Sequence, residues 1–196
     1  MAITEITEAK PAEDHRSRWI GVYVGVLATL LAICTMGGGN ATKDATRSNI
    51  EATNTWAFFQ SKNTRRTVLS VAADDLDLML KATPGVPEDA RKAVEEKIKT
   101  YRAEIVRFTS DKEKNEGLDE LWVKAKELEK ERDVALRRDP YFDLAQALLQ
   151  IGIVLASVAL IASADFLIYL SLMVGALGSL LMLNGFTLLL KMPFLG

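Results

Sequence analysis

Between residues 144 and 190 a single side chain, that of Asp165, carries a charge. Around it lie two apolar runs, LAQALLQIGIVLASVALIAS at 144–163 and FLIYLSLMVGALGSLLMLNGFTLLL at 166–190. A helix rises 1.5 Å per residue, so about 20 apolar residues cross a hydrocarbon core of about 30 Å. Both runs reach that length, and neither shows the alternating polar face of a water-soluble helix. Two buried helices of a soluble core, joined by so few residues, would be an unusual arrangement. Two membrane spans joined by a tight hairpin at Ser163-Ala164-Asp165 are a simple one.

A third run, WIGVYVGVLATLLAICTM at 19–36, has no Lys, Arg, His, Asp or Glu and sits near the short end of the range. A signal peptide is the competing reading, with His15, Arg16 and Arg18 as its basic region. Against it, the run is long for such a segment, and Met36-Gly-Gly-Gly matches an Ala-x-Ala cleavage site poorly. The expectation is three transmembrane helices, at 19–36, 140–163 and 166–190, with polar tails at 1–18 and 191–196.

The charged residues therefore crowd into the N-terminal tail and residues 43–143, and the 49% hydrophobic composition averages two environments. A formal net charge of −2 selects neither an anionic nor a cationic partner. One cysteine, Cys34, excludes an internal disulfide framework and a multi-cysteine zinc site, and the lone His15 leaves little for a histidine-based metal site or triad. No Walker A loop, Rossmann fingerprint, HExxH, CxxC or GxSxG occurs. Gly37-Gly38-Gly39 lacks the preceding strand and the following Gly-Lys-Ser/Thr of a phosphate cradle. Asp74, Asp75 and Asp77 lack the glycine and terminal glutamate of a calcium loop and read as a charged helix face. The expectation is a non-enzymatic protein without catalytic residues, cofactor, metal, nucleic-acid partner or small-molecule substrate.

Residues 37–139 read as a soluble helical domain. Val94, Ile98, Tyr101, Ile105 and Phe108 step by four, three, four and three. The pattern resumes at Leu118, Leu121, Ala125 and Leu128, after DKEKNEG. The ten-residue step from Phe108 to Leu118 breaks heptad phase, which predicts an interruption at 110–117. Residues 44–82 form another long helix, closed by the turn signal Thr83-Pro84-Gly85-Val86-Pro87. Asp139-Pro140 reads as an N-cap and first helical position, restarting a helix into the second span. The fold class is all-α: three transmembrane helices with a long, antiparallel, coiled-coil-like hairpin inserted between helices one and two.

The stretch NTWAFFQSKNTRR, residues 54–66, crowds three aromatics before a basic pair. A helix continuing straight from Met36 places Trp56 about 30 Å beyond the first span, too far for the headgroup layer. If the three glycines break the helix, the segment folds back along the interface instead. Trp56 and Phe59 share a helix face with Ala52 and Asn63, while Phe58 points elsewhere. Packing is the favoured reading. The expected seam comprises Trp56, Phe59, Val94, Ile98, Tyr101, Ile105, Leu121 and Leu128.

At this point the chain resembles a bacterial family of small membrane proteins known as domain of unknown function family 4337. The residues that carry the likeness are Asn49-Ile50-Glu51-Ala52, Trp56-Ala57-Phe58-Phe59-Gln60-Ser61-Lys62, Arg65 and Ala72-Ala73-Asp74, with Tyr101-Arg102 and AQALLQIGIVLA at 145–156. The resemblance implies the membrane architecture; it brings no activity, cofactor or catalytic residue.

Small residues mark expected packing faces within the membrane: Gly21 and Gly25, Gly152 and Ala156, and Ser171, Gly175 and Ser179. Polar residues there are costly, so Gln146, Gln150 and Asn184 are candidates either for hydrogen bonds between helices or for a polar path in an oligomer. Lys43, Arg47, Lys130, Arg132, Arg137, Arg138 and Lys191 flank the spans on the hairpin side, against Lys10, Arg16 and Arg18 on the other. Counting positive charges favours a cytoplasmic hairpin in a bacterial inner membrane. The rule weakens for loops longer than about 60 residues, which leaves a periplasmic hairpin open. The expected function is an oligomeric scaffold or accessory subunit of a larger membrane complex, with the lipid bilayer and a second copy or another subunit as partners. The alternative is an oligomeric pore lined by the polar residues of helices two and three.

Overall fold

A computed structural model describes residues 11–191 of the chain, with side chains from 15 to 191. Of the expected tails, residues 1–10, including Lys10, and 192–196 lie outside the described residues. Among those described, all regular structure is helical: α1 (Pro11–Ala82), α2 (Glu88–Thr109), α3 (Leu118–Ala162) and α4 (Asp165–Thr187). α1, α3 and α4 each contain a stretch long and apolar enough to cross a membrane. Only 22–28% of each such stretch is buried within the chain, so most of its apolar surface faces outward.

Of the two readings of the glycine triplet, the continuous helix is the one observed, and the expected helix restart at Asp139-Pro140 is absent. Residues 19–36 and 44–82 belong to one helix of 72 residues that runs through Gly37-Gly38-Gly39. Glycine costs a helix about 1 kcal/mol relative to alanine, but close packing calls for it at Gly37 and Gly38. A Cβ on Gly37 would lie 2.7 Å from Cε1 of Phe142, and one on Gly38 would lie 3.1 Å from Cβ of the same residue. Likewise, Asp139-Pro140 does not restart a helix: Pro140 lies inside α3. The carbonyl it leaves without an amide partner is that of Leu136, an exposed residue. Asp139 does not cap; its Oδ1 accepts a hydrogen bond from Thr42 Oγ1 at 2.9 Å.

Other boundaries fall where the pattern placed them. α2 ends at Thr109 and α3 begins at Leu118, with Asn115 at positive φ (56°) between them. Ser163 takes φ 52° in the short link to α4. At the other end α4 stops at Thr187, short of the expected 190, because Leu188 turns left-handed at φ 51°.

The chain divides into two compact units, Met1–Ala45 with Asp133–Gly196, and Thr46–Arg132. The first is built on the apolar portions of α1, α3 and α4. Its core contains Leu27, Cys34, Ala41, Phe142, Ala145, Leu149, Leu181 and Met182.

In the second unit, Ser48, Ala52, Thr55 and Ala73 are buried on α1, Ile98 on α2, and Leu118, Leu121, Ala125 and Leu128 on α3. The spacings of three and four on α1 and α3 mark one stripe on each helix. Small side chains along such a stripe let two helices approach closely. Asn49 accepts from Arg132 at 3.4 Å, Trp56 donates to Glu129 at 2.9 Å, and Lys62 pairs with Glu116 at 3.9 Å. As the numbering rises along α1, that of its partners falls.

Candidate functional site

The aromatic stretch sits on α1 in the second unit. Trp56 and Phe59, three residues apart, meet edge to face at 5.4 Å and 78°. The indole Nε1 of Trp56 donates to Glu129 Oε1 at 2.9 Å. From the next turn of α3, Lys126 donates to Glu129 Oε2 at 2.8 Å and lies 5.6 Å from the Trp56 ring. The Lys126 hydrogen bond, then that from Trp56, holds the Glu129 carboxyl below its ordinary value.

One turn beyond Phe58, the Lys62 side chain is only 12% exposed. A buried ammonium needs partners. Its Nζ donates to the carbonyl of Glu116 in the α2–α3 link and stands 5.1 Å from the Phe58 ring and 6.0 Å from that of Phe108. The same link is held by Glu120, which accepts from Ser110 Oγ at 2.6 Å and from the Asp111 amide at 3.2 Å. The Ser110 bond foremost lowers the Glu120 pKa.

Of the expected seam, Ile98, Leu121 and Leu128 are buried, while Trp56, Phe59, Val94, Tyr101 and Ile105 are half-buried. Trp56 is tied to α3 through Glu129, and Phe59 packs on the Trp56 ring. The four α2 residues line one stripe of that helix, where Lys97 stands 5.1 Å from the Tyr101 ring. Sequence reasoning missed Lys62, Lys126 and Glu129, whose charges look like any solvated helix face. An ammonium one turn after an aromatic, as in Phe58 and Lys62, was the available signal.

In the first unit, the small residues of α3 and α4 meet and those of α1 do not. Ser171 Oγ donates to the carbonyl of Gly152 at 2.7 Å, and the Tyr23 hydroxyl lies 3.2 Å from Ser171 Oγ, tying α1, α3 and α4 together. A Cβ on Gly152 would come within 3.6 Å of the Gly175 backbone. Ala156 is buried and Ser179 half-buried, its Oγ turned back to the Gly175 carbonyl at 2.8 Å. By contrast, nothing lies within 4 Å of a Cβ built on Gly21 or Gly25.

The three intramembrane polar candidates are not gathered. Asn184 closes a ring with the Leu190 main chain, donating to its carbonyl and accepting from its amide, each at 2.8 Å. Gln146 accepts from Thr35 at 3.3 Å, and Gln150 is exposed. Among the described residues no three His, Cys, Asp or Glu side chains stand together as a metal site would require.

Most of these contacts bind helix to helix or turn to turn: Trp56 to Glu129, Lys62 to Glu116, Ser171 to Gly152 and Asn184 to Leu190. Together with the fold they define an all-helical chain carrying three helices of membrane-spanning length and hydropathy. The chain belongs to the family described as Domain of unknown function (DUF4337), which it matches over residues 16–188. No curated protein and no solved structure matches it.

Proposed function

We propose that this chain is a non-enzymatic integral membrane protein that works as an oligomeric scaffold or accessory subunit through a helical hairpin. Its spans are the apolar portions of α1, α3 and α4, and the hairpin is formed by the rest of α1 against α2 and the start of α3. The partner docked is a second copy or another subunit of a membrane complex.

The observation that carries the reading is an apolar stripe on α1 outside the span. Val71 and Leu78 stand seven residues apart and are 55% and 63% exposed, with Val68 beside them at 60%; Ile50, three heptads before Val71 with Ala57 and Thr64 between, is 55% exposed. Heptad-spaced apolar residues on an open face are the surface that a partner helix covers. Crosslinking through Val71→Cys, with native mass spectrometry in mild detergent, tests it. A lone monomer with no co-purifying partner would sink the proposal.

Positive-inside counting supports a bacterial inner-membrane protein with a cytoplasmic hairpin. An impermeant thiol reagent that labels Lys112→Cys from outside intact cells would reverse that orientation. The pore alternative draws less support, since Asn184 is spent on the Leu190 main chain.

A further inference from the structure

A cleft of about 210 Å3 opens between the first turns of α1 and the α3–α4 connection, lined by Arg16, Ser17, Ile20, Leu160 and Ser163. Its lining is mainly polar, from a guanidinium and two hydroxyls, with Ile20, only 6% exposed, and Leu160 as the apolar part. Arg16 Nη2 donates to Asp165 Oδ1 at 2.6 Å, which anchors the fork. The guanidinium has five N–H donors in one plane, and its side chain keeps 33% exposure, so the fork can serve Asp165 and a ligand together.

The depth of the cleft narrows the ligand. Trp19 follows Arg16 by three residues and is 64% exposed; Tyr169 follows Asp165 by four and is 71% exposed. Outward Trp and Tyr at the ends of apolar helices sit at the headgroup level of a bilayer. The volume is smaller than the roughly 300–1,000 Å3 of sites that enclose a whole small molecule, so the cleft suits one compact polar group. A guanidinium pairs with phosphate through two parallel hydrogen bonds, which suits Arg16 to that group. Beside the cleft, Leu160 and Ile161 are 40% and 86% exposed and offer a wall for hydrocarbon.

We propose that this cleft binds the phosphate of a phospholipid headgroup, with Arg16 as its ligand and the acyl chains lying along Leu160 and Ile161. The proposal rests on the membrane reading above, and the test separates the two. The full chain is first shown to stay with membranes through an alkaline wash; release there overturns the membrane reading itself. Detergent-purified wild type, Arg16→Gln and Asp165→Asn are then titrated with phosphatidylglycerol and, separately, inorganic phosphate, and followed by native mass spectrometry. Both variants break the same ion pair, so Asp165→Asn controls for its structural role, and circular dichroism checks that each remains helical.

The expected result is a lipid adduct weakened about tenfold or more by Arg16→Gln, as for loss of a hydrogen bond to a charged group, and retained by Asp165→Asn. Equal retention in all three proteins, equal loss in both variants, or binding of inorganic phosphate without lipid would overturn it.

Discussion

Trp56 and Glu129, 73 residues apart in the chain, are joined by an indole N–H donated to a carboxylate at 2.9 Å. The bond decides what the aromatic block does. Its ring lies on Phe59, its N–H on α3, and its face near Lys126, so the indole joins two helices within one unit.

Trp56→Ala removes ring and donor together. The expected loss is roughly 2–3 kcal/mol, below the 3–5 of a fully buried aromatic because the indole is half-buried. Trp56→Phe keeps the edge-to-face contact and loses less. Chemical denaturation followed by circular dichroism in detergent measures both.

The Glu129 carboxyl is held below its ordinary value of 4.5 by Lys126 and Trp56. A depressed folded pKa makes its contribution complete above the unfolded value, and lost as pH falls through the lower folded one. The gap in Tm between wild type and Glu129→Gln is therefore expected to be constant near neutrality and to shrink as pH drops below about 4.5. A gap that widens on acidification would contradict the arrangement.

Gly37 and Gly39 are two residues apart and predict opposite outcomes. A Cβ at Gly37 would sit 2.7 and 2.8 Å from the Phe142 and Phe186 rings, whereas one at Gly39 meets nothing within 4 Å. Gly37→Ala is expected to cost about 1–3 kcal/mol through overpacking. Gly39→Ala is expected to gain about 0.5–1 kcal/mol from helix propensity. Thermal melts of the two variants side by side check the contrast.

Asn184→Leu strips the C-terminal end of α4 of both hydrogen bonds to Leu190. The expected cost is about 1–3 kcal/mol for the backbone groups left unpaired. Faster hydrogen exchange at the Leu190 amide, with α4 otherwise protected, is the signature.

Much of the architecture is legible in one dimension. The three apolar runs, the Thr83–Pro87 turn, the break at 110–117 and the stripe of Leu118, Leu121, Ala125 and Leu128 all follow from composition and period. Lipid solubility and helical repeat act over a few turns of chain, so neighbouring residues suffice to reveal them.

Tertiary structure decided whether those pieces join. Gly37-Gly38-Gly39 leaves a break and a continuous helix both open and Asp139-Pro140 reads as a restart, yet α1 and α3 pass through them unbroken. Glycine is required where Phe142 presses on α1, and the sequence does not say which ring will arrive from beyond residue 140. The same holds for Trp56 finding Glu129, Lys62 finding the Glu116 carbonyl, and Asn184 turning to Leu190. Propensity and period are properties of a segment. Close packing and buried polar satisfaction are properties of two surfaces, and only folding brings those surfaces together.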